Sequence, residues 1–183
     1  MGRMARVPYP DPAALSDETQ EFLATLPPLN IFRMLAGGEG LLRAFSRFGN
    51  HLLNKTQLHP VLREVAIVRV GVLSGAGYEV HQHEAISRGL GMSDELIAAI
   101  HEGPDAEVLD DAQREVLRYT DDVVVNVRAS DDTMQPLLTR LSARELQELT
   151  VTIGFYMLVS RYLETFGVDI EASGGSGIDL ARR

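Results

Sequence analysis

Apolar residues recur at helical spacing along most of the chain, and no segment shows the strict alternation expected of a half-buried strand. Glycines and prolines separate the helical segments. The pattern predicts helices over residues 16–26, 30–36, 39–54, 60–74, 78–89, 93–101, 111–128, 130–141 and 142–166. We therefore expect an all-α fold.

The segment 60–74 differs from the others because it is apolar almost all round. A helix that is hydrophobic on every side is normally buried at the centre of a bundle. Its β-branched residues would also suit a strand, but the run is longer than the usual strand of about 5–6 residues. We interpret it as the central helix, with Pro60 at its first position.

The length of 183 residues suits one domain with a substantial core and is short for two. Residues 1–15 contain Pro8, Pro10 and Pro12 and should form an extended N-terminal arm. Residues 16–171 should form the helical domain. The Gly-rich residues 172–183 should be a flexible tail or dock on a neighbouring subunit.

Composition removes several classes of function. The net charge of −9, without a cluster of basic residues, argues against nucleic-acid binding. No apolar run approaches the roughly 18 residues needed to span a membrane, and the N-terminus lacks an apolar signal segment, so we expect a cytoplasmic protein. The absence of cysteine excludes thiolate catalysis, disulfides and zinc–thiolate sites for this chain.

The chemistry-bearing residues lie in the middle of the chain. Glu79 and His83 are four residues apart and share a helix face, whereas His81 lies about 200° round the helix from Glu79. Glu64 has apolar neighbours, so burial would require a partner or a proton. The alternatives are a surface ion pair for Glu79 and His83, and a solvent-facing position in the first helical turn for Glu64.

This spacing resembles the alkylhydroperoxidase-D/carboxymuconolactone decarboxylase family. That family has a Glu on one helix and Cys-x-x-Cys-x-x-x-His at the start of the next. Glu64 matches the family Glu, Ala76 and Glu79 occupy the two cysteine positions, and His83 matches the histidine. Residues 62–70, 77–83, 89–97 and 148–163 carry further similarity. The chain is similar to the family's cysteine-free branch.

The resemblance implies an all-α, alkylhydroperoxidase-D-like fold in one domain that assembles as a homo-oligomer, either a trimer or a hexamer. It also implies a cofactor-independent lyase of the decarboxylase type, or an isomerase, acting on a small carboxylated lactone or ring compound of aromatic catabolism. Glu64, Glu79 and His83 would handle the proton, and Tyr78 would donate to a developing oxyanion. Thiol peroxidase activity is excluded because the cysteines are missing.

Three further residues are candidates for substrate binding. Arg69 would bind a substrate carboxylate, and an internal ion pair is the alternative for it. His59 would line the entrance, with helix capping as the alternative, and His81 is the third candidate.

Two other functions stay open from the sequence alone. Glu64, Glu79 and His83 could serve as ligands in a metal-dependent enzyme, although we predict no metal and no cofactor. The chain could also be a non-catalytic oligomer that binds a small molecule. If the acid/base interpretation is correct, the three side chains should converge within hydrogen-bond reach around a pocket.

Overall fold

The computed structural model describes residues 5–172, which form nine α-helices and no strand. A short 3-10 turn, Pro12–Ala14, precedes the first helix. The helices are α1 (Asp17–Ala24), α2 (Asn30–Leu35), α3 (Glu39–Asn54), α4 (Pro60–Ser74), α5 (Gly77–Gly89), α6 (Asp94–Glu102), α7 (Asp111–Val125), α8 (Asp131–Arg140) and α9 (Ala143–Phe166). The all-α prediction is confirmed.

The helix ends follow from side chains that cap them. Ser16, Ser93 and Ser142 each accept a hydrogen bond from a backbone N–H in the first turn of the helix that follows. Ser142 and Glu145 form the reciprocal capping box predicted from the sequence. The largest boundary error is at α7, which ends at Val125 rather than continuing to 128.

Helix α4 lies at the centre of the bundle, as predicted. Every residue from 63 to 71 is buried, and the helix packs against α5, α6, α7 and α9. Three charged residues lie in this buried stretch, namely Arg63, Glu64 and Arg69. Each must find its partner inside the protein because an unpaired buried charge is very costly.

A close approach of α4 and α5 fixes the position of the chemistry-bearing residues. A Cβ added at Gly71 would lie 3.0 Å from Cγ2 of Val80 and 3.6 Å from Cβ of Glu79. The chain reverses just beyond, at Gly75, whose φ of +63° favours glycine. The first turns of α5 therefore pack directly on α4.

The described part of the N-terminal arm packs on its own chain. The Arg6 N–H donates to the carbonyl of Phe166 at 2.8 Å, and the Tyr9 hydroxyl donates to Asp169 at 2.5 Å. A side chain at Gly167 would meet the Arg6 backbone at 3.2 Å. Residues 5–9 thus lie beside the end of α9.

The predicted Gly-rich tail falls almost wholly outside the described residues, which end at 172. Its docking on a neighbour, and the three predicted segment boundaries, stay predictions. Within residues 5–172, no helix is long and apolar enough to cross a bilayer.

Candidate active site

His83 lies between two buried carboxylates. Its Nδ1 is 2.6 Å from Oε2 of Glu64 on α4, and its Nε2 is 3.0 Å from Oε1 of Glu79, one turn earlier on α5. Glu64 is fully buried, and Glu79 and His83 are each only 4% exposed. The structure therefore brings together the three residues that the sequence had selected, and their catalytic roles stay predictions.

Two residues that the sequence analysis did not select complete this cluster. Nε of Arg63 donates to Oε1 of Glu64 at 3.2 Å, and the arginine is 3% exposed. The ring of Tyr156 on α9 meets the His83 ring edge-on, with centroids 4.8 Å apart. The all-round apolar pattern of α4 was the available signal for Arg63, because it implies that any charged residue on this helix is buried and paired.

The surroundings of His83 change its proton affinity. Burial opposes its positive charge, but the charge of Glu64 and the hydrogen bonds to Glu64 and Glu79 outweigh burial and raise its pKa to about 9. At neutral pH, His83 is therefore an imidazolium ion that donates from both nitrogens. Together with Arg63, it balances the two carboxylates within the protein interior.

Tyr156 stays a neutral phenol in this environment. Burial raises its pKa well above the usual value, and the charges of Glu79 and Glu64 raise it further. Its hydroxyl therefore keeps its proton at any pH at which the protein would work, and it can serve as a hydrogen-bond donor.

A cavity of about 170 Å³ borders the cluster. Glu79, His83 and Tyr156 line it, whereas Glu64 is not among the lining residues. The rest of the wall is mainly apolar and includes Phe32, Phe45, Leu53, Phe155 and Val159. A small ring compound could therefore contact Glu79 and His83, while Glu64 would act through His83 by holding its Nδ1–H.

The Tyr78 hydroxyl forms a hydrogen bond with Glu171 in the structure. Tyr78 lines the cavity, but its hydroxyl donates to Oε1 of Glu171 at 2.6 Å. Burial and the Glu171 carboxylate raise its pKa above the usual value. The Tyr78 hydroxyl is therefore paired with Glu171, and its role as oxyanion donor stays a prediction. Tyr156 also lines the cavity, and its ring contacts His83, so it is a second candidate for that role.

Glu171 is a residue that sequence reasoning missed. Besides Tyr78, it accepts hydrogen bonds from Nε2 of Gln82 and from the backbone N–H of Asn30, each at 2.6 Å. It thereby holds two cavity-lining side chains of α5 from a position 89 residues further along the chain than Gln82. No local pattern could have indicated a contact over this separation.

None of the three predicted substrate-binding residues lines the cavity. Arg69 forms a bidentate pair with Asp121 at 2.6 and 2.9 Å and also donates to the carbonyls of Ile100 and His101. His59 caps α4 by accepting the Val61 N–H at 3.3 Å. The alternatives stated for Arg69 and His59, an internal ion pair and a helix cap, therefore describe their positions better.

His81 also lies away from the cluster. It is half-buried, and its Nε2 is buried without a hydrogen-bond partner among the described residues. Among the described residues, no hydrogen bond or ion pair joins it to Glu64, Glu79 or His83, in agreement with its predicted position round the helix, and it does not line the cavity.

The geometry does not favour the metal alternative. Both ring nitrogens of His83 face carboxylate oxygens at hydrogen-bond distance, so no imidazole lone pair is directed at a common point with Glu64 and Glu79. Within residues 5–172, no group of three His, Asp or Glu side chains is arranged to hold a metal ion.

The comparisons with known proteins agree with this fold. Residues 39–122 match the model of the carboxymuconolactone decarboxylase family. The matched segment is similar to that family. It runs from the start of α3 into α7 and carries Glu64, Glu79 and His83, so the family resemblance inferred from the sequence is confirmed. No curated protein matches the sequence significantly.

Solved structures show the same fold at low sequence identity. The alkylhydroperoxidase AhpD core structure of a peroxidase-related protein from Ralstonia eutropha JMP134 has a TM-score of 0.82 at 20% identity, and the match covers 93% of this chain and 94% of that one. A peroxidase-related protein from Silicibacter sp. TM1040 gives 0.82 at 20% identity, covering 96% of each chain. A variant of the debrominase Bmp8 in complex with 2,3,4-tribromopyrrole gives 0.71 at 14% identity, covering 87% of this chain and 86% of that one.

Proposed function

We propose that this chain is a cofactor-independent acid/base enzyme, a lyase of the decarboxylase type or an isomerase, that acts on a small carboxylated lactone or ring compound. The observation that carries the proposal is the position of His83, which is held between the Glu64 and Glu79 carboxylates in the wall of a mainly apolar cavity. Perturbed acid/base groups beside a small pocket are the usual mark of a catalytic site.

The three residues take different roles in this proposal. His83 carries the proton, because its raised pKa keeps it charged at neutral pH. Glu79 lines the cavity beside it and receives or returns a substrate proton. Glu64 is a positioning residue, since it holds the Nδ1–H of His83 from behind and does not reach the cavity.

In a decarboxylation, the bond between a ring carbon and the carboxylate breaks and CO2 leaves. The electron pair of that bond passes into the conjugated ring system, where Tyr156 can donate a hydrogen bond to the oxygen that becomes negative. His83 then delivers its proton to carbon and becomes a neutral imidazole, which solvent reprotonates after product release. In an isomerisation, the same pair would remove a proton from one carbon and return it to another.

The size of the cavity and the ligand of a protein with the same fold support a small ring compound as the ligand. The cavity of about 170 Å³ has room for one ring with its substituents and not for a much larger molecule. A protein of the same fold, the debrominase Bmp8, is seen with 2,3,4-tribromopyrrole bound. Because this chain contains no cysteine, thiol-based peroxide or disulfide chemistry is not part of the proposal.

The experiment is a turnover screen with a panel of five- and six-membered carboxylated lactones and keto acids, followed by CO2 release and by NMR of the product. We expect turnover of at least one compound by the wild type, without added metal and in the presence of a chelator. Turnover that persists at the wild-type rate in the His83→Gln variant would contradict the proposal, as would activity that is lost with the chelator.

We also propose that the chain assembles as a homo-oligomer, a trimer or a hexamer. Four large apolar side chains are exposed on α3 and α9, namely Leu41, Phe48, Val151 and Leu158. Exposed apolar surface of this kind is typical of a subunit interface. Light scattering at micromolar concentration tests the proposal, and a mass of about 20 kDa, that of one chain, would contradict it.

A further inference from the structure

A surface groove adjoins the cavity along α3. The groove has a volume of about 580 Å³ and is lined by Phe22 and by residues of α3 that include Arg43 and Arg47. It shares Leu26, Ser46 and Asn50 with the lining of the cavity. A ligand with its ring in the cavity could therefore extend a substituent into the groove.

The groove carries two positive charges on one face of α3. Arg43 and Arg47 are four residues apart, a spacing at which like charges repel. Arg43 is neutralised by Glu18 at 2.8 Å and lies over the ring of Phe22. Arg47 is exposed and forms no ion pair with any acidic side chain in residues 5–172. Arg47 therefore carries a positive charge at the rim of the groove that no described acidic side chain pairs with.

A buried polar atom lies where the groove and the cavity meet. Ser46, which lines both, is 9% exposed, and its Oγ is buried without a hydrogen-bond partner among the described residues. Buried hydroxyl groups nearly always have a partner. At this junction the Ser46 hydroxyl is available for a hydrogen bond to a bound molecule or to water.

We propose that Arg47 binds the carboxylate of a ligand whose ring occupies the cavity beside His83, and that it thereby determines specificity for anionic ring compounds. This inference rests on the proposed function, and it assigns to Arg47 the carboxylate contact that the sequence analysis had assigned to Arg69. Arg69 cannot make that contact because Asp121 and two backbone carbonyls already use its donors. The planar guanidinium of Arg47 matches a carboxylate in shape and charge.

The test uses benzoate and benzamide as probes, because the two have nearly the same shape and only benzoate is charged. Binding to the purified, full-length wild type is followed by NMR titration at low salt. We expect benzoate to bind about tenfold more tightly than benzamide, and to weaken as salt is added, because the contact lies at an exposed site. In the Arg47→Gln variant this preference should disappear, and Arg47→Lys should restore part of it.

The matched control is Arg118→Gln, which also removes one exposed positive charge. Arg118 lies on α7, pairs with Asp105 and does not line the groove or the cavity. We expect this variant to keep the wild-type preference for benzoate. Because Arg47 and Arg118 are both exposed, both variants should fold, which circular dichroism checks.

Three results would overturn the inference. They are equal affinity of the wild type for benzoate and benzamide, no benzoate binding at millimolar concentration, and an equal loss of preference in the Arg47→Gln and Arg118→Gln variants. The proposed function fails separately, by the absence of His83-dependent turnover in the lactone screen. A benzoate preference that depends on Arg47 without any turnover would support this inference while removing the enzymatic one.

Discussion

Helix α4 buries two charged clusters that lie little more than one turn apart, and the two differ in a way that separates structure from chemistry. Arg69 is held by both oxygens of Asp121 and by two backbone carbonyls. These partners satisfy the guanidinium within the protein, and the side chain borders no cavity. The cluster at Glu64 is more deeply buried, since its side chains are at most 5% exposed against 28% for Asp121. Two of its members, Glu79 and His83, nevertheless line a cavity.

The comparison shows that burial of a charge is not by itself a sign of function. In the Arg69 cluster, each guanidinium nitrogen donates to a partner within the chain. The His83 cluster contains a titratable group whose pKa is raised to about 9 and which faces open space. A buried cluster becomes a candidate site when a ligand can reach it and when it can gain or lose a proton.

The sharpest way to test this distinction is to replace His83. The His83→Gln variant keeps a polar side chain but cannot carry a proton, so turnover in the lactone screen should fall by about 10²–10⁴-fold. The measurement is kcat per folded molecule, with the folded fraction taken from circular dichroism. A loss of activity that is fully explained by unfolding would assign His83 a structural role.

The matching change at the other cluster should affect stability instead. Asp121→Asn leaves Arg69 without its carboxylate partner and should lower the free energy of unfolding by about 3 kcal/mol. Urea denaturation measures that loss, while kcat of the remaining folded protein should stay close to the wild-type value. A tenfold fall in kcat without loss of stability would contradict the purely structural role of the Arg69–Asp121 pair.

The pH dependence of stability should also distinguish the clusters. Because the fold raises the pKa of His83 from 6.5 to about 9, the resulting stabilisation is complete below pH 6.5 and is lost as the pH rises through 9. The free energy of unfolding should fall over that window by up to about 3 kcal/mol. The Asp121→Asn variant should show the same slope, and the His83→Gln variant should lack it.

The smallest expected effect concerns Tyr78. Tyr78→Phe removes one hydrogen bond to Glu171 and should lower the free energy of unfolding by about 1 kcal/mol. Since this hydroxyl is bonded to Glu171, kcat should change by less than about twofold, whereas Tyr156→Phe should lower it by more. If Tyr78→Phe were the more damaging change, the oxyanion donor would be Tyr78, as the sequence first suggested.

Local pattern was sufficient for the helices and for one half of the candidate site. The four-residue spacing of Glu79 and His83 placed both on one face of α5, and the all-round apolar pattern of α4 indicated a buried helix. A solvent-facing position for Glu64 in its first turn stayed open until the structure showed Glu64 to be fully buried. The contact between Glu64 and His83 could be stated only as an expectation, because it depends on the close packing of two helices at Gly71. The family resemblance supplied the reason to expect it.

Other features could not be predicted because they join distant parts of the chain. The bonds from Glu171 to Tyr78 and Gln82 and the pairing of Arg69 with Asp121 depend on tertiary packing. The sequence therefore identified which residues were unusual and not which partner each had. For Arg69 and Tyr78, the partner decides the role.

The proposed function depends on His83 being held as a charged proton donor between Glu64 and Glu79. The most direct test is an NMR titration of the His83 imidazole in the wild type, with the resonance assigned by its absence in the His83→Gln variant. We expect an imidazolium with both nitrogens protonated at pH 7 and a pKa of about 9. A pKa at or below the usual value of about 6.5, or a neutral imidazole at pH 7, would contradict it.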